Sequence, residues 1–290
     1  MRRPISAVKA GQYGLIAVVM TVHNRRDTTV ACLQSLNDQV GRIPEIQVVL
    51  TDDGCTDGTS YAVSQRYQYV ETRQGTGGLF WAAGMALAEK SAWKHIPDYL
   101  LWLNDDVLLD NDAIKRLVAC SDRHPNAIVV GAMRDPSSGE QTYGAHLRTG
   151  THPMKISLVP VSSIDQFAHT FHGNCVLIPR HVRTAVGPID GNFEHAMADT
   201  DYGYRATRQG FAIVQVPGTV GSCASNAREH PSGDFRTIHR ELRSHKGLPY
   251  RSHKRFLRKH AGGNWPLLLV LGRLNILRHA IRITRQGRLK

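Results

Sequence analysis

Tyr99-Leu100-Leu101-Trp102-Leu103-Asn104-Asp105-Asp106-Val107 is the stretch that decides the fold. Its first five residues form an apolar run of strand length, and Tyr, Leu and Trp suit a buried strand. Carboxylates follow at the strand's end, where α/β proteins bind ligands. On an extended chain Asn104 and Asp106 point to the same side, so their oxygen atoms could hold a divalent cation. The alternative is a helix start, because Asp110 and Asn111 follow closely and could cap a helix.

Predicted strands and helices alternate around this stretch. Leu15 to Val22 and Ile46 to Leu50 predict buried strands before it, and Ala127 to Gly131 predicts another after it. This alternation is typical of an α/β fold with a mainly parallel sheet flanked by helices. The polar residues that end the first, second and central strands should therefore meet at one edge of the sheet. Helices are expected to open at Asp27, Asp57 and Asp110, and another is expected from about Leu79 to Trp93.

The second half of the chain is less regular. Residues 134–170 show weak periodicity and predict β-hairpin and loop. Asp199 to Arg208 predicts a helix with Asp199 and Asp201 in its first turn and Gly210 as its stop. Strands are expected at Gly173–Pro179 and Phe211–Val216, with a short helix at Val182–Val186.

The cysteines indicate the redox compartment. Five of them are scattered at positions 32, 55, 120, 175 and 223, the number is odd, and no C-x-x-C pair occurs. This usage favours a reduced, cytoplasmic protein over a disulfide scaffold. The basic N-terminus and the apolar run after it imitate a signal peptide, but no small-residue cleavage site follows. No apolar run reaches transmembrane length.

The positive charge is concentrated at the C-terminal end. Residues 231–290 carry 15 Lys and Arg against two acids, a net charge of +13, whereas the whole chain carries +12. Residues 1–230 are therefore close to neutral, and the shift predicts a domain boundary near residue 230. No recognition motif or aromatic interleaving supports a nucleic-acid partner.

The last helix has an apolar face that could bind a surface. It is predicted from Trp265 to Ile283, with an interfacial Trp and basic residues. Such a helix is attracted to anionic lipid and would place the protein at the inner face of the cell membrane. The alternatives are packing on the domain or a subunit interface in a homo-oligomer. The face comprises Leu267, Val270, Leu271, Leu274, Leu277 and Ile281, followed on or beside it by Arg278, Arg282 and Arg285.

Four motifs resemble those of family-two glycosyltransferases in order and spacing. They are Thr21-Val22-His23-Asn24-Arg25, Thr51-Asp52-Asp53-Gly54-Cys55-Thr56-Asp57-Gly58, Asn104-Asp105-Asp106 and Ala198-Asp199-Thr200-Asp201. The stretch Gly78-Leu79-Phe80-Trp81-Ala82-Ala83-Gly84-Met85 is similar to the bacterial rhamnosyltransferase-like branch. The resemblance implies a GT-A fold, a nucleotide-sugar donor, a divalent metal and inversion at the anomeric carbon. Residues 1–230 would then form the transferase domain, with a nucleotide-sugar half at about 1–130 and an acceptor half at about 131–230, followed by a basic helical extension at 231–290.

The resemblance assigns metal and donor roles. Asp106, with Asn104 or Asp105 assisting, would hold Mg or Mn, because negative charge grows on the departing diphosphate. Asn104 replaces the commoner Asp, and its amide oxygen brings no charge. A late His230 could complete the metal site, although a surface-loop histidine is the competing interpretation. The expected donor-binding residues are Thr21, His23, Asn24, Asp52, Asp53, Gly78 and Asp105, of which Asp52 and Asp53 could instead cap their turn.

The resemblance also assigns the acceptor side. Inversion in one displacement needs a base that deprotonates the acceptor hydroxyl, and Asp199 matches the Asp of the family's Glu-Asp motif, with Ala198 in place of Glu. Asp199 could alternatively serve only the helix dipole. Gly173, Asn174 and Trp81 are expected at the acceptor, whereas Asp201 is expected to make structural contacts.

The function expected from this resemblance is transfer of a sugar from dTDP-rhamnose or a UDP-sugar. The acceptor would be a glycan or polyprenyl-linked saccharide in cell-surface polysaccharide synthesis. The alternative is a nucleotide-binding or membrane-attached interaction protein without transferase activity. A Rossmann dehydrogenase is disfavoured, because His23-Asn24-Arg25 follows the first strand in place of a G-x-G-x-x-G loop.

Overall fold

A ten-stranded sheet lies at the centre of the computed structural model, which describes residues 14–39, 41, 43–194, 196–225, 234–244 and 247–287. Three further strands form a small second sheet. The strands in chain order are β1 (Leu15–Val22), β2 (Glu45–Asp52), β3 (Val70–Gln74), β4 (Tyr99–Leu103), β5 (Leu108–Leu109), β6 (Ala127–Arg134), β7 (Gln141–Tyr143), β8 (Ala145–Arg148), β9 (Ile156–Leu158), β10 (Gln166–Ala168), β11 (Thr170–Phe171), β12 (Cys175–Pro179) and β13 (Ala212–Ser222).

The strand order of the main sheet is β10-β13-β6-β12-β4-β1-β2-β3, with β5 beside β13 and β7 beside β6. Strands β4, β1, β2 and β3 are parallel neighbours, and β13 is parallel to β6. Strand β12 runs antiparallel between β4 and β6. The mainly parallel sheet predicted from the sequence is therefore confirmed, and the weakly periodic stretch 134–170 supplies the hairpin of the second sheet, β8 between β9 and β11.

Helices cover both faces of the main sheet. Because side chains alternate along a strand, Val18 of β1 enters the core on one face and Val19 the core on the other. Both faces are apolar, as in parallel sheets buried on two sides. The helices are α1 (Arg26–Asn37), α2 (Thr59–Arg66), α3 (Phe80–Ala92), α4 (Ala113–Arg123), α5 (Arg180–Val186), α6 (Ala198–Arg208), α7 (Phe235–Leu242), α8 (Tyr250–His260) and α9 (Trp265–Gly287).

Two predicted helix caps are wrong. Asp27 lies inside the first turn of α1 and is exposed, while Arg25 occupies the N-cap position. Asp110 does not open α4, which follows Asp112, because both oxygens of Asp110 pair with the guanidinium of Arg134. Asp57 does serve the start of α2, since its Oδ1 accepts from the backbone N–H of Thr59 at 3.0 Å.

Ion pairs attach α8 to α6 and to the loop before α6. Asp201, which is fully buried, accepts from Arg205 and contacts Lys259 and His260 of α8. Burial alone raises the pKa of Asp201, but these partners outweigh it and lower the pKa. Asp190 binds Arg255 and Lys259 in the same way. The prediction that Asp201 makes structural contacts is confirmed.

Helix α9 packs on α7 and α8 through Leu269, Ile276 and Ala280. The apolar face identified in the sequence points away from them, and its six residues are between 38% and 60% exposed. The interpretation that this face packs on the domain is therefore wrong. Among the described residues no helix combines the length and apolarity needed to cross a membrane. The predicted boundary at residue 230 falls in 226–233, outside the described residues.

Candidate active site

The carboxyl ends of β1, β2 and β4 meet at one edge of the sheet, as the sequence predicted. Strand β1 lies between β2 and β4, and Val22 at its end is paired with Asp52. His23 follows β1, and its Nδ1 donates to the carbonyl oxygen of Asp53 at 2.6 Å. Asn104 follows β4 directly. Parallel pairing therefore collects three of the four motifs at one place.

An arginine joins the two carboxylates that follow β4. Arg25 Nη1 lies 2.9 Å from Asp105 Oδ1 and 3.0 Å from Asp106 Oδ2. The chain turns here, with the N–H of Val107 donating to the carbonyl oxygen of Asn104 at 3.3 Å. The extended conformation expected for Asn104 and Asp106 is therefore wrong. Because of this turn, the two side chains that contact the Arg25 guanidinium are Asp105 and Asp106, and not the predicted pair Asn104 and Asp106.

The Asp105 carboxylate is buried and incompletely paired. Its Oδ2 has no hydrogen-bond partner among the described residues, although the side chain is only 7% exposed. Burial raises the pKa of Asp105 to about 6, against the opposing effect of Arg25. The Oδ1 atom of Asp106 accepts a weak bond from Cys223 Sγ at 3.5 Å. Two adjacent carboxylates with an unsatisfied oxygen form a hard-donor set, which fits Mg²⁺ or Mn²⁺.

Trp81 and Gly173 connect this turn to Asp199. Trp81 Nε1 donates to Asn104 Oδ1 at 2.8 Å, and a Cβ atom on Gly173 would lie 2.6 Å from the Trp81 ring. Only glycine permits that approach. The N–H of Gly173 donates to Asp199 Oδ2 at 3.1 Å. Asp199 and Asn104, which are 95 residues apart in the sequence, are thus joined by a short chain of contacts.

Asp199 is held by backbone hydrogen bonds at the start of α6. It lies in the first turn of α6, where Thr200 N–H donates to Oδ1 at 2.7 Å. Burial raises the pKa of Asp199, while the two backbone N–H groups and the nearby His146 oppose the rise. A carboxylate with a raised pKa accepts a proton more readily than an ordinary one.

The buried His146 beside Asp199 and the partly buried His172 were not identified from the sequence. The rings of His146 and His172 lie 4.1 Å apart, and burial lowers the pKa of each to about 4. Both are therefore neutral at pH 7. Neither Nδ1 atom has a hydrogen-bond partner among the described residues. Since they lie on or beside very short strands, no periodic pattern could have revealed them.

The carboxylates of Asp52 and Asp53 accept hydrogen bonds from the turn after β2 and from the segments that begin α2 and α3. Asp52 Oδ1 accepts from the N–H of Cys55 at 2.7 Å, and its Oδ2 accepts from Ser60. Asp53 Oδ1 accepts from Gly77, and its Oδ2 accepts from Leu79 and Phe80 at the start of α3. The turn-capping interpretation thus describes their contacts. Their role in donor binding stays a prediction.

The other predicted donor residues line the same edge. Asn24 adopts a positive φ of 53°, and its Oδ1 accepts from Thr56 N–H at 2.7 Å. Thr21 lies against Gly84 of α3, where a Cβ atom would collide with its hydroxyl. Gly78 is exposed just before α3, with no atom near the position of a Cβ. Their contacts with a donor stay predictions.

The predicted acceptor residue Asn174 lies behind the metal-ligand candidates. Its carbonyl oxygen accepts from the N–H of Asn104 at 3.0 Å, and its Nδ2 contacts Cys223 Sγ at 3.7 Å. Arg25 and Cys223 are the residues at this position that sequence reasoning missed. Arg25 could have been found, since the loop after β1 must meet the end of the parallel neighbour β4. His230, predicted as a further ligand, lies outside the described residues.

Comparison with known proteins finds a matching family and a similar enzyme. Residues 17–185, more than half of the chain, match the family described as Glycosyl transferase family 2. The chain is 24% identical to an N-acetylglucosaminyl-diphospho-decaprenol L-rhamnosyltransferase of Mycobacterium tuberculosis, over 84% of this chain and 88% of that protein.

Solved structures show the same fold. A mannosyltransferase of Pyrobaculum calidifontis in complex with GDP-Man and Mn²⁺ superposes with a TM-score of 0.56 at 17% identity, covering 99% of this chain and 79% of that one. Staphylococcus aureus TarS 1-349 in complex with UDP gives a TM-score of 0.55 at 14% identity, covering 84% and 70%. The GT-A architecture implied by the sequence motifs is confirmed.

Proposed function

The chain belongs to glycosyl transferase family 2, and from that premise we propose that it is an inverting enzyme which uses a nucleoside-diphosphate sugar to glycosylate a polyprenyl-linked saccharide. Its identity as a glycosyltransferase follows from the family. The observation that carries the finer proposal is the chain of contacts from Asn104 through Trp81 and Gly173 to Asp199. It supports a site in which the carboxylates after β4 serve the diphosphate and Asp199 serves the acceptor.

Asp105 and Asp106 would hold a divalent cation, with Asn104 supplying an uncharged oxygen. That cation, when bound, neutralises charge on the departing diphosphate. Arg25 contacts both carboxylates, and its guanidinium would also donate hydrogen bonds to a phosphate oxygen of the donor. The mannosyltransferase neighbour binds Mn²⁺ together with its nucleotide sugar, which supports the proposal.

Asp199 accepts the proton of the attacking hydroxyl. The backbone N–H groups of Gly173 and Thr200 fix its carboxylate, and the flat Trp81 ring borders the acceptor position. The attacking oxygen bonds to the anomeric carbon as the bond to the diphosphate breaks, which inverts that carbon. The neutral His146 beside Asp199 leaves the carboxylate without a competing ion pair at pH 7.

Transfer itself tests the proposed function. Purified protein with Mn²⁺ should move rhamnose from dTDP-rhamnose to a polyprenyl-diphosphate-linked N-acetylglucosamine, because the M. tuberculosis relative carries that acceptor and sugar in its name. UDP-sugars form the second donor panel. Product is measured by mass spectrometry, with EDTA and a chain carrying Asp199→Asn as controls. Donor binding without transfer to any lipid-linked acceptor would contradict the proposal.

The exposed face of α9 supports a second part of the proposal, attachment to the inner face of the cell membrane. It is an apolar stripe of six residues whose C-terminal end carries Arg278, Arg282 and Arg285. Apolar side chains beside arginines match the acyl chains and anionic head groups of a lipid surface. The net charge of +13 over residues 231–290 favours lipid over a second copy of this equally basic helix.

Replacing Leu271 and Leu274 by Ser should weaken binding to anionic vesicles roughly thirtyfold, because each half-exposed leucine contributes about 1 kcal/mol on insertion. Binding should also fall as salt rises, since exposed charges are screened beyond about 8–10 Å near physiological ionic strength. Vesicle flotation measures both effects. Ile164→Ser, an exposed apolar residue elsewhere, is the matched control. Absence of wild-type flotation at low salt, with dimers in sedimentation, would assign the face to self-association.

A further inference from the structure

A basic cavity of about 310 Å³ lies apart from the donor edge, between the end of β8, helix α6 and the end of α8. Arg148 and Arg208 face it with His169 and His260, and Tyr204 and Thr207 complete the wall. None of the described residues that line it carries a carboxylate. His260 contacts Asp201, but Arg205 and Lys259 also pair with that carboxylate. The cavity therefore presents positive charge and hydrogen-bond donors.

The two guanidinium groups are held in place without being neutralised. Arg148 Nε donates to the carbonyl oxygen of Gly150 at 2.8 Å, and its Nη2 donates to that of Thr151. Arg208 Nη1 donates to the carbonyl oxygen of Lys259 at 2.9 Å. Within the described part of the chain neither arginine forms an ion pair. Each retains N–H groups that a phosphate can take up.

His169 adds a donor of defined direction. Its Nδ1 accepts from the backbone N–H of Arg148 at 3.0 Å. The ring proton of the neutral form must therefore lie on Nε2. The edge of a largely buried ring lies beside these donors, since Tyr204 is 6% exposed and the Arg148 guanidinium carbon is 5.9 Å from the ring centre. The cavity thus combines anion-binding groups with an apolar wall.

The cavity adjoins two of the elements that surround Asp199. Tyr204 follows Asp199 by five residues on α6, which corresponds to about 7–8 Å along the helix axis and about 140° around it. On β8, His146 and Arg148 are two residues apart and share one side of the strand, and His146 is close enough to Asp199 to lower its pKa. The cavity is therefore connected to the surroundings of Asp199 through β8 and α6.

We infer that this cavity binds the diphosphate of the lipid-linked acceptor, with Arg148 and Arg208 on the phosphate oxygens and the Tyr204 ring against the first prenyl unit. The inference rests on the proposed function, because it supposes a prenyl-diphosphate acceptor. Free inorganic diphosphate presents the same anion without the prenyl chain. The two sources are distinguished by whether the apolar wall contributes to binding.

Binding of geranyl diphosphate, measured by calorimetry in EDTA, tests the site without requiring transfer. Arg148→Gln and Arg208→Gln should each weaken binding about tenfold or more, as expected for loss of a charge-assisted hydrogen bond. Arg251→Gln, an exposed change of equal charge on α8, should leave it unchanged. Arg148→Lys should retain part of the affinity. Inorganic diphosphate binding as tightly as geranyl diphosphate would overturn the lipid assignment.

Steady-state kinetics separates this inference from the function on which it rests. Arg148→Gln and Arg208→Gln should each raise the KM for the lipid-linked acceptor about tenfold and leave the donor KM unchanged. Neither variant should change the KM for an alkyl glycoside acceptor that lacks the diphosphate. Active enzyme with an unchanged acceptor KM in Arg208→Gln would overturn the inference and leave the function intact. Geranyl diphosphate bound as described, without transfer to any acceptor, would support the cavity and contradict the function. Melting curves of both variants test whether they fold. If Arg148→Gln does not fold, Arg208→Gln alone tests the proposed diphosphate site.

Discussion

Replacing Asp199 by Asn is expected to lower the transfer rate by about two to four orders of magnitude, the usual contribution of a general base. Asparagine keeps the shape of the side chain and an oxygen for the N–H groups of Gly173 and Thr200, but it cannot take a proton from the acceptor. The donor site should be undisturbed, because Asp199 touches Trp81 only through Gly173. Single-turnover rates and donor affinity by calorimetry measure the two effects separately.

The pH profile gives the same prediction an independent readout. A base works when deprotonated, so the rate should rise with pH through the pKa of Asp199. Burial raises that pKa, which places the acid limb above the ordinary range for an aspartate. The limb should disappear in Asp199→Asn. As a control, Asp201→Asn should lower the melting temperature yet leave the rate per folded molecule nearly unchanged, since Asp201 binds α8. A wild-type rate in Asp199→Asn would mean that another group is the base.

The strands could be predicted closely from the sequence because each is marked by an apolar run within its own residues. Strand β1 spans the predicted Leu15–Val22, and β4 is the apolar run Tyr99–Leu103. Uninterrupted apolar runs of this length are buried whichever neighbours they have. Helix caps were less predictable, because they depend on single side chains with several partners. Asp110 illustrates this, since Arg134 from β6 binds the carboxylate that the sequence offered as a cap.

The sequence predicted which residues lie at this edge of the sheet, but it did not predict the contacts that they make. The order of strands brings Asp53, Asn104 and His23 to one edge, and that follows from parallel pairing. The Arg25 bridge follows from the turn after β4 and the positive φ of Asn24, which no periodicity encodes. His146 was invisible for a related reason, because only the packing of a four-residue strand places it beside Asp199.

In helix α9 the sequence pattern identified only one of two apolar faces. The sequence identified the face that carries Leu267 and Leu274, and that face is exposed. The face that packs, through Leu269 and Ile276, was not identified, because α9 is apolar over most of its circumference near its start. A helix with apolar residues on opposite sides needs two partners. The described residues supply one of them in α7 and α8.

Replacing Asp106 by Ala is expected to remove metal-dependent binding of a nucleoside diphosphate. Even changes outside the direct ligands cost metal sites about 10–100-fold in affinity, so loss of a carboxylate ligand should weaken Mn²⁺-dependent binding on the order of a hundredfold or more. Asp105 then remains as a single carboxylate paired with Arg25, which neutralises it. Binding of the metal-free nucleotide should change little, because Arg25 keeps its charge.

Calorimetric titration of dTDP and UDP, each with Mn²⁺ and with EDTA, measures this effect, and the paramagnetic signal of free Mn²⁺ reports metal affinity without nucleotide. Asp112→Ala removes an exposed carboxylate at the start of α4 and is the matched control. Metal should strengthen nucleotide binding in the wild type and in Asp112→Ala, but not in Asp106→Ala. Equal affinity with and without Mn²⁺ in the wild type would show that Arg25 alone provides the positive charge, since its guanidinium already lies at 2.9 Å and 3.0 Å from the two carboxylates.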